Sequence, residues 1–187
     1  MSARTRIDHP IPPTFDADSE VLILGSFPSV KSRESGYFYG HPQNRYWKVL
    51  AALFGDAVPQ TVEEKRAFLL RHHVAAWDVI ASCTIEGSSD ASIRDVVPND
   101  LRPILGGSRV RRIFVNGKTA ERMFRKYTEP ALRAWLDEAA ARAPAGTEDA
   151  ERFAHLLPAV CLPSTSPANA AWSPERLREA WKVILNR

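Results

Sequence analysis

The sequence predicts an α/β fold, a three-layer α/β/α domain around a central, mainly parallel four-stranded sheet. Two observations predict it. Short apolar, β-branched runs alternate with segments whose apolar residues recur at helical spacing, the pattern of strands joined by helical crossovers. Three of those runs also stop at turns carrying small and polar groups: Gly25-Ser26, Asn116-Gly117 and Pro163-Ser164. In a parallel sheet such turns share the carboxyl edge, where open α/β sheets hold their ligand. With 187 residues the chain can bury one full core, so residues 1–187 read as a single domain.

In chain order, residues 1–19 hold Pro10, Pro12 and Pro13 among charges, and read as an extended lead-in along the surface. Val21 to Leu24 is a continuous apolar run, a buried strand of parallel type. A loop follows over 25–43. Asn44 to Phe54 carries Tyr46, Trp47, Val49, Leu50, Ala51, Leu53 and Phe54, a buried helix stopped by Gly55. Thr61 with Glu64 three residues on is a capping box opening a second helix that ends near His73. Val74 to Ile80 predicts a second strand, and Ser82 to Ser92 a polar loop. Asn99 or Asp100 caps a short helical piece ending at Gly106. Arg111 to Val115 is the third strand and Thr119 to Tyr127 the helix after it. Residues 129–150, rich in Ala, Arg and Glu and broken at Pro144-Ala145-Gly146, predict a helical insertion with a flexible tail. Leu156 to Leu162 is the fourth strand, despite Pro158. Ser173 as N-cap and Pro174 at the first helical position open a final helix with Leu177, Ala180, Trp181, Ile184 and Leu185 on its apolar face.

Composition excludes several classes. No apolar run approaches ~20 residues, so neither a spanning helix nor a membrane partner is expected. Met1 to Arg6 has no apolar stretch behind it, so no signal peptide is expected and the cytoplasm is the expected compartment. Two cysteines, Cys83 and Cys161, are too few for a zinc site or a four-cysteine cluster, and no metal or other cofactor is expected. They read as small buried hydrophobes; one disulfide stays open, with the compartment arguing against it. A net charge of +3 is compatible with a polyanion partner without requiring one.

The strand ends carry no Gly-x-x-x-x-Gly-Lys, Gly-x-Gly-x-x-Gly or Gly-x-Ser-x-Gly, so the usual phosphate, dinucleotide and hydrolase readings lose support. Cys161 lies in a strand pattern with no evident base to activate it. What the predicted crevice offers is amides, hydroxyls, rings and backbone N–H groups, a set suited to a flat heterocycle with phosphates around it.

Three segments carry a resemblance. Leu24-Gly25-Ser26-Phe27-Pro28-Ser29, then Tyr39-Gly40-His41-Pro42-Gln43-Asn44-Arg45-Tyr46-Trp47, then Leu162-Pro163-Ser164-Thr165-Ser166-Pro167-Ala168-Asn169-Ala170 resemble the motifs of the uracil-DNA glycosylase superfamily, most closely its hypoxanthine (deoxyinosine) branch. The resemblance covers roughly residues 10–128 and 155–187. It implies a monofunctional glycosylase of base excision repair. Such an enzyme hydrolyses the N-glycosidic bond of a deaminated base, with damaged DNA, double- or single-stranded, as partner and the monomer as the acting form. Most of the superfamily has Asp or Asn two residues after the motif glycine, and many members open the last motif with His. This chain has Phe27 and Leu162 there. The resemblance therefore moves the catalytic role to Asn44, whose rival reading is an N-cap of the helix after it.

The other roles follow the same way. Tyr39 stands where the superfamily stacks a ring on the extruded base, against the rival of core packing. Phe27 and Pro28 shape the pocket floor beside Ser26, and Gly25 admits the ligand close to the backbone. Asn116 is the candidate base reader, since its amide can answer the O6 acceptor and N1–H donor of hypoxanthine; uracil presents the same pair, and the rival role is a turn residue. Ser164, Thr165, Ser166 and Lys118 are candidate DNA contacts, against simple turn chemistry for the hydroxyls. Arg45 and Trp47 are expected to brace the loop. Open alternatives are the same chemistry on uracil or xanthine, a nucleic-acid-binding module without catalysis, and a small-molecule α/β enzyme.

Overall fold

The computed structural model describes residues 5–86 and 92–186. Four short runs, Val21–Gly25 (β2), Val74–Asp78 (β3), Arg112–Asn116 (β6) and Val160–Leu162 (β7), form one all-parallel sheet in the order β3-β2-β6-β7. Strand β2 is buried along its whole length because both of its faces are covered. Leu22 and Leu24 point into one apolar cluster, Val21 and Ile23 into the other.

The first cluster is closed by helices α4 (Arg102–Gly106), α5 (Lys118–Met123) and α6 (Glu129–Arg142), through Ile104, Leu105, Met123, Leu132 and Leu136. The second is closed by α2 (Tyr46–Phe54), α3 (Val62–Arg71) and α8 (Pro174–Trp181), through Tyr46, Leu50, Phe68, Leu69, Leu177 and Trp181. The layers are therefore α/β/α, as the apolar runs predict. Local signals hold too. The Thr61–Glu64 capping box is formed in both directions, and Ser173 Oγ accepts from the Arg176 N–H. Gly55, in the left-handed region at φ 64°, ends α2.

Several expectations are corrected. The lead-in is not merely surface chain. Thr5–Asp8 (β1) pairs antiparallel with Ile80–Ile85 (β4), which pairs antiparallel with Arg94–Pro98 (β5), making a second sheet in the order β1-β4-β5. Beyond β1, Ile11 is buried and Thr14 bridges Ala76 backbone to backbone. The run from Val74 breaks at Val79, and the expected polar loop from Ser82 is a strand as far as Ile85. Of the rest of that loop, residues 87–91 lie outside the described residues. The polar side chains of β4 conceal it: Ser82 Oγ accepts from Arg6 on β1, where the reading of a solvated loop sees only hydroxyls. Asp100, not Asn99, accepts from the first helical N–H of α4, at Arg102.

The segment 129–150 is helical, as expected, and packs onto the body of the fold. A π-helical turn, Phe124–Thr128, carries α5 directly into α6, and the chain then breaks at Ala143 before α7 (Glu148–His155). Leu132 and Leu136 are buried in the first cluster, and Trp135 meets Phe153 edge to face. The fourth strand is only Val160–Leu162, shortened because Pro158 cannot donate to a ladder. Of the final helix, Leu185 lies in a 3-10 turn and is exposed. Neither cysteine is in a disulfide. Cys83 is buried, but Cys161 is only half-buried.

Candidate active site

From β2 the chain crosses to β3 on one side and then back over to β6 on the other. That reversal opens a crevice at the carboxyl ends of β2 and β6. A cleft of about 1110 Å³ lies there, lined by the turn after β2, by Tyr39, His41 and Asn44, and by the segment after β7. The three predicted turns thus share one cavity.

Its floor is a row of three strand-end residues. Gly25 pairs in register with Asp78 on β3, and its predecessor Leu24 with Val115 on β6, which puts Asn116 on its other flank. Gly25 is glycine for a steric reason. A Cβ there would sit 2.1 Å from Asp78 Oδ1 and 3.2 Å from Tyr39 Oη. Phe27 is buried against the first cluster and meets His9 edge to face, and Pro28 is buried beside it. Both line the cleft with Ser26.

The loop between β2 and α2 is ordered by its own hydroxyls. Ser29 caps a short helix, α1 (Val30–Ser35), and Ser32 Oγ accepts from the Gly40 N–H. Tyr39 lies at φ 53°, a left-handed conformation rare for a tyrosine. The strain turns its ring flat onto Tyr46, with centroids 3.8 Å apart. Its hydroxyl is buried, too poorly placed for a well-formed hydrogen bond but within reach of the Asn116 amide; burial first, then the Asp78 charge, push its pKa far above the ordinary phenol value, against the smaller opposing pull of Asn116. Tyr39 is therefore packed against the second cluster and also lines the cleft.

Asn44 lies on the cleft wall. Its Oδ1 accepts from the Tyr46 N–H at 2.9 Å, so the helix-capping function is realised, with Arg45 at the cap position itself. Its Nδ2 has no protein partner among the described residues. Arg45 is the brace that the sequence predicts. Its guanidinium donates to the carbonyls of Thr165, Ser166, Asn169 and Trp172, tying the start of α2 to the segment after β7. Trp47 is buried and donates to the Phe38 carbonyl.

The hydroxyl segment is more inward than the sequence suggests. Thr165 is fully buried. Its Oγ1 accepts from Asn116 Nδ2 at 2.9 Å and its N–H donates to Asn116 Oδ1 at 3.0 Å. The hydroxyl and N–H of Thr165 are thus both engaged by Asn116, although the residue also borders the cleft. The same pair fixes which end of the Asn116 amide is which, leaving one N–H and one lone pair to spare. Ser164 Oγ accepts from Ser166 N–H and Ser166 Oγ from Ala168 N–H, the turn chemistry that is their rival reading, while both still line the cleft. Lys118 stands exposed at the rim, paired with Glu121. Burial pushes the Cys161 thiol up from its ordinary pKa, which fits no nucleophile.

Two residues escape the sequence reading. Asp78 is buried at the cleft floor, and its Oδ2 lies 2.8 Å from His9 Nε2. His9 Nδ1 accepts from the Ile11 N–H, so the ring proton is on Nε2 and is donated to Asp78. The available signal was one acid closing an apolar run, Val74-Ala75-Ala76-Trp77-Asp78.

Comparison with known proteins now bears on this cleft. A family model described as the uracil DNA glycosylase superfamily matches residues 12–185, a span that runs through 129–150. A protein of Methanosarcina acetivorans named hypoxanthine DNA glycosylase is 30% identical over 177 residues, covering 92% of this chain and 94% of its own. One of the same name from Methanosarcina barkeri is 31% identical over 125 residues, 66% of this chain and 76% of its own. The solution NMR structure of a uracil DNA glycosylase candidate from Methanosarcina acetivorans superposes with a TM-score of 0.70 at 25% identity, covering 97% of this chain and all of that one.

Proposed function

This chain belongs to the uracil DNA glycosylase superfamily, and from that premise we propose that it is a monofunctional DNA glycosylase that removes deaminated bases, hypoxanthine first among them. The observation that carries the proposal is the single cleft at the strand-order reversal, which gathers Gly25, Tyr39, Asn44 and the Ser164–Asn169 segment although no acid or amide stands at Phe27. The substrate preference rests on the two Methanosarcina relatives named for that base.

Cleaving the N-glycosidic bond builds positive charge on the sugar and negative charge on the departing base, so the site must hold a flipped nucleotide, a water and donors to the base. The flipped base enters the cleft against the edge of Tyr39, whose own face is held by Tyr46. Gly25 lets it approach the backbone. Asn44, kept in place by its bond to the Tyr46 N–H, orients the attacking water or contacts the junction of base and sugar. Asn116 presents a fixed amide edge to the base, pinned by Thr165. Ser164, Ser166 and Lys118 at the rim contact phosphates flanking the flipped nucleotide. No lysine lies at the floor to form a Schiff base, and among the described residues Lys31 and Lys118 are those that border the cleft. The enzyme acts as a monomeric single domain on DNA.

The test is a lesion panel. Duplexes carrying hypoxanthine, uracil or xanthine opposite each partner base, and the same strands single, are incubated with the protein, and products are resolved before and after alkali. The expected result is release of hypoxanthine ahead of the others, with strand scission only after alkali. Tight binding to lesion DNA with no abasic product would replace the proposal with a binding module.

A further inference from the structure

The cleft floor holds a carboxylate oxygen that the roles above leave unused. Asp78 Oδ2 is occupied by His9, but Oδ1 accepts from no group among the described residues and stands over Gly25 at the cleft. Two further polar groups face the same point. Tyr39 Oη is buried within reach of the Asn116 amide, and Asn116 flanks Gly25 from the opposite strand. An acceptor that opens on the cleft and is not taken up by the fold is free to receive a donor from a ligand.

We propose that Asp78, oriented by His9, is the specificity-determining residue of the site, accepting the ring N–H that deamination creates in adenine; this rests on the glycosylase reading above. Adenine presents a lone pair at N1. Hypoxanthine presents N1–H at the same atom, beside O6. A fixed acceptor therefore repels the undeaminated ring and welcomes the deaminated one. The pinned Asn116 amide, with one N–H to spare, supplies the complementary donor for O6. Uracil, guanine and thymine share the N–H, so Asp78 separates hypoxanthine from adenine and uracil from cytosine, and leaves the remaining discrimination to the shape of the pocket.

His9 makes the assignment directional. Its Nδ1 is held as acceptor by the Ile11 N–H, so its Nε2 can only donate. The group facing it on residue 78 must therefore be an oxygen. In Asp78→Asn that constraint turns the amide oxygen toward His9 and the NH2 toward the cleft. An acceptor at the floor becomes a donor with no change of shape.

The experiment compares excision of hypoxanthine and of unsubstituted purine from otherwise identical oligonucleotides. Purine lacks the N1–H without adding bulk, so exclusion by size cannot mimic the effect. Wild-type protein is expected to favour hypoxanthine, and Asp78→Asn to lower the hypoxanthine-to-purine ratio of kcat/KM by roughly tenfold to a hundredfold, the range of one base-edge hydrogen-bond pair. Melting curves confirm that the isosteric variant is folded. A folded Asp78→Asn with the wild-type ratio overturns the assignment while leaving the glycosylase reading intact. Wild-type protein that excises both bases equally overturns it without any variant. Wild-type protein that releases no base from any lesion overturns the glycosylase reading, and this assignment with it.

Discussion

Asn44→Ala is expected to remain folded and to lose base excision by roughly two to three orders of magnitude, the loss seen when a single group aimed at a developing charge is removed. The competing role of Asn44 is visible in the structure, since its Oδ1 caps the Tyr46 N–H. Loss of a cap costs about 1 kcal/mol, which lowers the melting temperature by a few degrees but cannot account for such a fall in rate. Asn44→Asp keeps the capping oxygen, and its melting temperature should match the native protein. Single-turnover rates on hypoxanthine duplex, read beside melting curves for both variants, separate the roles. An Asn44→Ala protein that excises at the native rate would remove Asn44 from catalysis.

Arg45→Ala is expected to damage stability and activity together. One guanidinium reaches the carbonyls of Thr165, Ser166, Asn169 and Trp172. Charged hydrogen bonds of this kind contribute about 1.5–3 kcal/mol each and are not additive, so a total loss of about 3 kcal/mol is expected. For a chain of this size that is a fall in melting temperature of roughly 10 °C. Arg45→Lys should not restore it, because a single ammonium cannot fork to four acceptors. In both variants the segment after β7 is released. DNA binding and excision should then both weaken through loss of the brace. Native melting with unaltered affinity for lesion DNA would show the brace to be dispensable.

The parallel sheet was legible because burial on both faces demands unbroken apolar runs, and Val21 to Leu24 and Ile113 to Val115 supply them. The antiparallel sheet was not, for the converse reason. Its strands Thr5–Asp8 and Arg94–Pro98 are edges, with exposed polar or charged side chains that pattern as loop. Ile80–Ile85 follows β3 after a single residue, with no Gly or Pro to mark the boundary. In the site, the turns were legible as local chemistry: Gly25, Asn116 and the serines announce strand ends. What sequence could not supply was pairing at a distance. Thr165 reads as an exposed hydroxyl until Asn116, 49 positions away, is seen to hold it. His9 and Asp78 are 69 positions apart and lie in segments read as lead-in and strand. Likewise the 129–150 segment hides its two anchoring leucines among alanines and arginines.

The strand Thr5–Asp8 makes the pocket depend on an edge strand of the smaller sheet. Edge strands, paired along one side only, open locally more readily than the core. Here the segment that would open carries His9. When it detaches, Asp78 loses its donor, Phe27 its edge contact, and the floor its alignment, while the parallel sheet stays intact. Amide exchange at Ile11 and Thr14, whose N–H groups are bonded to His9 and to Ala76, should therefore be faster than exchange within β2, and base binding should slow it. Recognition would then be drawn from the same small free energy that keeps this strap closed, so destabilising the strap would loosen base selection well before the protein unfolds.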